Sequence, residues 1–307
     1  VSTNGGGWPS VSVVTAVFNG EETIADALRS ALAQTVQPLE IVVVNDGSTD
    51  STLERLAEVD GPVRVICQDN SGPSVARNRA MAEATGEWIA FLDADDIWCE
   101  TKLESQLGLA RIRPDAVLVA SDWSRANPAL CDGSRKPHGP AHVTWFDYRD
   151  ILVLNRFQTS SVILRAEVAS KLGGFHGELD GVEDWDMWLR ASCEGTIGKL
   201  DQPLVAYRDM VNGYSKNLDR VYRTMRALMA REAPRAVPLL GAHGFDTLRA
   251  WHQLRFAVAY HLAGDSAGRR QALSDLGQDG LWRGAWAASG RYLAPFLAKR
   301  AMRRLRK

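Results

Sequence analysis

Residues 12–92 alternate apolar, β-branched runs with amphipathic stretches, and no other feature of the 307-residue chain limits its fold so strongly. The runs at 12–17, 40–45, 63–67 and 88–92 read as strands. Between the first two, Ile24, Ala27, Leu28, Ala31 and Leu32 recur at i, i+3, i+4, i+7 and i+8, the stripe of a helix that buries one face. Ser51 and Glu54 have the spacing of a capping box for the second helix, and Gly72-Pro73 starts the third. Connections of this length join parallel strands, so the first 120 residues are expected to form a βαβαβαβ sheet of Rossmann-like type. The run at 88–92 carries bulky residues on both faces of the pleat, which marks a strand buried on both sides.

That strand ends abruptly on acid: W-I-A-F-L-D-A-D-D places Asp93, Asp95 and Asp96 at its carboxyl end. Ligands of open α/β sheets bind there, and three carboxylates suit a divalent cation with an anionic ligand. An acidic turn before the next helix accounts for the same spacing. The first strand runs on into T-A-V-F-N-G-E-E, with neither G-x-G-x-x-G nor a P-loop, which argues against dehydrogenase and kinase chemistry. Thr101 and Glu104 are placed to cap a helix to residue 111, and 116–121 reads as a strand.

Residues 123–145 are rich in Pro, Gly, Asn and Ser and are expected to be a long loop. Beyond them, 146–154 reads as helix, 160–165 as strand, Gly173-Gly174-Phe175 as a turn, and 196–200 and 204–207 as two short strands. The helix expected at 183–194 opens on Glu183, Asp184 and Asp186. From residue 218 the chain turns to Leu-, Ala- and Arg-rich helices, with a hairpin around Gly264-Asp265. The expected organisation is a flexible leader (1–9), an α/β domain (10–215) and a C-terminal helical region (216–307).

The net charge of −1 supplies no global field for nucleic acid, and no nucleic-acid partner is expected. It splits, however, into −8 for residues 1–290 and +7 for residues 291–307. In that tail Leu293, Phe296, Leu297, Ala301 and Leu305 recur at helical spacing, so it reads as a basic amphipathic segment suited to peripheral contact with an anionic membrane. Cys67, Cys99, Cys131 and Cys193 form no C-x-x-C pair and are read as reduced thiols. No apolar run is long enough for a membrane span. The location expected is cytoplasmic, with contact at the inner face of the plasma membrane.

Seven segments in order over residues 10–210 resemble the family 2 glycosyltransferases of GT-A fold: V-S-V-V-T-A-V-F-N, V-V-V-N-D-G-S-T-D, S-G-P-S-V-A-R-N-R-A, W-I-A-F-L-D-A-D-D, G-G-F-H-G-E-L, E-D-W-D-M-W-L-R and P-L-V-A-Y-R. The resemblance implies an α/β fold with a mixed, mainly parallel sheet flanked by helices. It also implies inverting, metal-dependent transfer from a nucleotide-diphosphate sugar, with UDP as the base-bearing part, to a glycan or lipid-linked acceptor in cell-envelope polysaccharide biosynthesis. Carried over residue by residue, Ala16, Phe18 and Asp46 would hold the nucleoside, and Arg77 and Asp93 would lie along the donor nucleotide. Asp95 would bind Mn²⁺ or Mg²⁺, with Asp93 reaching it through water. Asp184 would be the general base, with Glu183, Trp185 and Arg208 supporting donor or acceptor. Many relatives carry a His shortly after Y-R, whereas Tyr207-Arg208 is followed here by Asp209-Met210-Val211-Asn212. Two other readings stand beside this one: a sugar nucleotidyltransferase, which would want a basic Gly-rich loop after the first strand, and a non-catalytic nucleotide-sugar-binding scaffold.

Overall fold

The structure is a computed structural model and describes residues 3–4, 7–125, 142–208 and 216–293. It divides into two compact units, one of residues 1–177 and 183–211, the other of residues 178–182 and 212–307.

The first unit is built on a nine-stranded sheet. Ahead of it, β1 (Thr3–Asn4) pairs antiparallel with β2 (Trp8–Pro9), and Trp8 packs against the core with the Arg111 guanidinium 4.9 Å from its ring centre. The alternating segment then runs β3 (Val11–Val17), α1 (Ile24–Leu32), β4 (Glu40–Asp46), α2 (Thr52–Ala57), β5 (Val63–Gln68), α3 (Pro73–Glu83) and β6 (Trp88–Phe91). These four strands are parallel in the order β5-β4-β3-β6. The chain therefore leaves β3 in one direction and returns to its other side with β6, which opens a crevice at the carboxyl ends of the central strands.

β6 is buried on both faces. On one, Trp88 and Ala90 join a core of Ile24, Leu28, Ile41, Val43, Leu103 and Leu107; on the other, Phe91 meets Phe175 and Trp188 edge to face at 5.4 and 5.7 Å. Such edge-to-face pairs add about 0.5–1.5 kcal/mol each beyond their buried area.

Beyond β6 the sheet becomes mixed. β7 (Ile97–Trp98), α4 (Lys102–Ile112), β8 (Ala116–Arg125), β9 (Val143–Phe146), α5 (Tyr148–Val153), β10 (Val162–Arg165), α6 (Ala166–Leu172), α7 (Glu183–Ala191) and β11 (Thr196–Tyr207) follow in order. β10 lies antiparallel between β6 and β8, β11 pairs parallel with β8, and β7 and β9 flank β11 antiparallel. The sequence reading underestimates regularity here. Residues 123–125 prolong β8 and 143–146 form β9, and residues 126–141 of the expected loop lie outside the described residues. The two strands expected at 196–207 are one, continuous through register shifts against β8 between Thr196 and Val205.

Neither expected capping box forms, because Ser51 and Thr101 make no side-chain cap bond. Other loops claim these groups. Asp50 accepts from Thr52 N, Glu21 accepts from Ser51 N, and Glu104 accepts from the Thr35 hydroxyl. At α2 the preceding Asp50 and, from the loop after β3, Glu21 satisfy N–H groups at the helix start, and at α4 Leu103 N donates to Gln34 Oε1. The cysteine reading also changes: Cys67 and Cys193 are free, whereas Cys99 is disulfide-bonded.

The second unit holds α8 (Leu218–Leu262), α9 (Ser266–Gln278) and α10 (Trp282–Ala288). Gly241 takes φ 72° and ψ 159°, which breaks α8 into two helices. The hairpin expected around Gly264-Asp265 is present, and Asp265 caps α9 by accepting from Ala267 N and Gly268 N. Tyr222 donates to Asp275 and Tyr260 to Asp219, which ties the helices together through buried hydroxyls.

Candidate active site

Segments distant in sequence supply the site, around the crevice at the carboxyl ends of β3, β4 and β6. Past the end of β3, Phe18 leaves half its surface in water, at 51% exposed, beside a half-buried Ala16. Asn19 holds a left-handed φ of 50°, and the turn is laced to the next loop by Asn19 N donating to Ser48 Oγ and Thr49 N donating to Asn19 Oδ1.

Asp46, the last residue of β4, is 3% exposed. Its Oδ1 accepts from Gln68 Nε2 at 2.7 Å and Ser71 N at 2.9 Å, and its Oδ2 accepts from Gly72 N at 2.8 Å. A carboxylate offers about four acceptor positions, so one on Oδ2 stays open. The side chain thus fastens the start of α3 as well as facing the crevice, a second task that its D-G turn spacing does not reveal.

α3 then presents Arg77 and Asn78. Arg77 donates through Nη2 to Asp93 Oδ1 at 2.7 Å and through Nη1 to Glu183 Oε1 at 3.1 Å, with Phe175 beneath it at 5.7 Å. Burial lowers the guanidinium's pKa, but Asp93, Glu183 and Asp184 outweigh it and hold the pKa above the ordinary value. One side chain therefore spans the acids after β6 and the acids of α7, which stand 90 residues apart in sequence. Asn78 clamps the Gly173-Gly174-Phe175 turn, donating to Phe175 O at 2.8 Å and accepting from Phe175 N at 2.7 Å. Gly174 has φ 82°, and a Cβ there would strike Asn78 Oδ1. Gly174→Ala is expected to cost about 1–3 kcal/mol, read as a lowered denaturation midpoint.

The three acids after β6 have three environments. Asp93 is engaged by Arg77, and its N–H donates to Ser160 Oγ at 2.9 Å. Asp96 is 1% exposed, accepts from Ser160 Oγ at 2.5 Å and from Arg208 N at 3.1 Å, and is pushed up to about 8 by burial with Asp93 and Asp95 alongside. Asp95 is pushed up to about 6 by burial and by Asp93, while Arg208 and Arg77 pull it back. Among the described residues no three His, Cys, Asp or Glu side chains converge on one point. The segment after Arg208, where relatives place a His, lies outside the described residues.

The first turn of α7 separates its acids equally clearly. Glu183 is held by Arg77. Asp186, fully buried, accepts from Arg190 Nε at 2.8 Å and sits 2.8 Å from His176 Nδ1, and Arg190 in turn donates to Leu172 O and Gly174 O. Asp184 makes no ion pair among the described residues. Asn155 Nδ2 donates to its Oδ2 at 2.9 Å and Trp185 N to its Oδ1 at 2.6 Å, while burial and then Glu183 push its carboxyl up to about 7. Trp185, 2% exposed, donates its indole N–H to Ile151 O at 2.7 Å and serves packing. Arg208 reaches Asp26 at 3.4 Å, beside Asp95 and Asp96 after β6. Asn155 and Ser160 were not legible as site residues, since both act through partners far away in sequence, and residues 160–161, expected to open a strand, form a 3-10 turn before β10.

The pattern of Glycosyl transferase family 2 matches residues 12–165. TuaG of Bacillus subtilis (strain 168), a glycosyltransferase named for teichuronic acid biosynthesis, is 42% identical over 223 residues, covering 68% of this chain and 82% of its own. Among solved structures, TarS of S. aureus in complex with UDP-GlcNAc superposes with a TM-score of 0.62 at 19% identity over 88% of this chain and 92% of that one. The mannosyltransferase PcManGT from Pyrobaculum calidifontis, in complex with GDP-Man and Mn²⁺, gives 0.61 at 20% identity over 96% and 83%. These two likenesses concern the GT-A fold, a mixed sheet flanked by helices with a helical C-terminal region. With the ordered motifs, the crevice and the family pattern in agreement, the chain belongs to glycosyl transferase family 2 and is a glycosyltransferase.

Proposed function

We propose that this enzyme transfers a sugar with inversion from a UDP-sugar to a hydroxyl of a glycan or lipid-linked acceptor in cell-envelope polysaccharide synthesis, and that Asp184 is its general base. The observation that carries the reading is the sorting of acids on α7. Of Glu183, Asp184 and Asp186, only Asp184 escapes an ion pair among the described residues, and burial with Glu183 alongside pushes its carboxyl up to about 7, where a base is most effective. In a single displacement the acceptor oxygen attacks C1 and its proton passes to Asp184. The C1–O bond breaks with its electron pair leaving on the diphosphate.

The other groups bind and orient. Phe18 stacks on the base, Ala16 leaves room for the ribose, and the open position on Asp46 Oδ2 accepts the imide N–H of uracil. Arg77 holds Asp93 and Glu183 so that donor and base sites keep their separation, and Arg208 adds positive charge near Asp95. Two partly buried carboxylates pressed together, one pushed up to about 6, form a donor set of hard oxygens that a dication would relieve. Asp95, with Asp93 through water, would hold Mn²⁺ or Mg²⁺, which when bound neutralises the charge growing on the leaving diphosphate. The mannosyltransferase with Mn²⁺ and the teichuronic acid relative support this reading by likeness.

Phe18→Ala is expected to raise the donor KM by roughly tenfold and leave the thermal midpoint nearly unchanged, because an exposed ring contributes to stacking and little to the core. kcat/KM should follow one ionisation near pH 7, falling tenfold per pH unit below it as Asp184 is protonated. The function itself is tested by release of nucleoside diphosphate from a panel of sugar nucleotides with glycan and lipid-linked acceptors. Release with Mn²⁺ that chelator abolishes supports the reading; release unaffected by chelator removes the metal from it.

A further inference from the structure

α10 carries two tryptophans outward. Its inner face is Leu281, Gly284, Ala285 and Ala288, all buried, and a Cβ on Gly284 would stand 2.8 Å from Asp246 O, so this face lies flush on α8. Trp282 and Trp286, one turn apart on the opposite face, are 54% and 83% exposed. Arg283, Ala287 and Arg291 are exposed beside them. Asp246, against Gly284, is paired with Arg249 at 3.5 Å, and Asp279, in the turn before α10, is paired with Arg226 and Arg249.

We infer that this face is a docking surface for an anionic lipid bilayer, with Trp282 and Trp286 as its inserted pair. Indole rings favour the boundary between headgroups and acyl chains, where the ring is dry and the N–H wet. Charge selects the lipid: Arg283 and Arg291 flank the tryptophans, and residues 280–293 contain no acid. Among the described residues no helix is long and apolar enough to cross a membrane, so the contact is peripheral. A second copy fits the face poorly, because isologous pairing would set the same positive charges against each other. The inference rests on the surface alone and is independent of the transfer chemistry.

The test is co-sedimentation of the full chain, without donor or acceptor, with vesicles of phosphatidylcholine alone and of phosphatidylcholine with phosphatidylglycerol. Binding to the anionic vesicles should exceed binding to the neutral ones and weaken as salt rises. W282S/W286S and R283E/R291E should each reduce anionic binding by about tenfold or more with an unchanged circular dichroism spectrum. Equal binding to both vesicles, full binding by W282S/W286S, a salt-stable dimer that W282S/W286S dissolves, or a double-stranded DNA oligomer that outcompetes the vesicles would each overturn it.

Discussion

Asp184→Asn is expected to remove transfer while sparing the donor: kcat should fall by roughly 10²- to 10⁴-fold, and the affinity for the sugar nucleotide should stay within about twofold of the parent. The amide keeps the size of the carboxyl and the contact with Asn155, 2.9 Å away in the parent, but takes no proton. The same variant is expected to be more stable than the parent at pH 8. The carboxyl binds its proton more tightly in the fold, at about 7, than in the unfolded chain, at 3.8, so parental stability falls as pH rises through that window. The amide removes the loss. The gain should appear as a higher thermal midpoint above pH 7, roughly 2–4 °C for each kcal/mol relieved, and vanish below pH 4. A merely structural Asp184 would show the opposite pattern, with lower stability and activity retained in proportion to folded protein.

Arg77→Met is expected to cost the most stability. The guanidinium side chain is 12% exposed and Glu183 9%, so removing the cation strands a buried carboxylate; Asp93, 29% exposed, contributes less. Breaking a buried pair by deleting one partner costs about 3–5 kcal/mol, or roughly 6–20 °C in the thermal midpoint. Lysine should restore only part, because one ammonium cannot reach two carboxylates as the planar fork does. In the folded fraction the midpoint of the pH profile should move above 7, since Arg77 helps keep Asp184 ionised. An unmoved midpoint would separate Arg77 from the base.

The parallel half of the sheet was legible because its local and global signals agree. Val13, Ile41 and Trp88 are apolar in sequence and buried in the fold, and α1 carries a clean apolar stripe. The later strands were less legible. β9 lies in a segment whose Pro and Gly content masks it, and β11 passes through Pro203 with shifted register. At the site, the motifs located the acids but not their assignment. Asp186 and Arg190 stand at the i,i+4 spacing of a helix pair, but nothing in E-D-W-D says that Arg77 takes Glu183 or that His176 meets Asp186; the placement of α3 and of the turn after α6 decides that. Asp46 shows the same limit, since its bonds to Ser71 N and Gly72 N depend on where α3 begins.

The account turns on a single displacement at C1, and the anomeric configuration of the first-formed product tests that most directly. With an α-linked sugar nucleotide, time-resolved proton NMR of the transferred sugar, or of sugar released to water, should show the β-anomer appearing first. An α-anomer as the initial product would contradict Asp184 acting as the base of an inverting transfer.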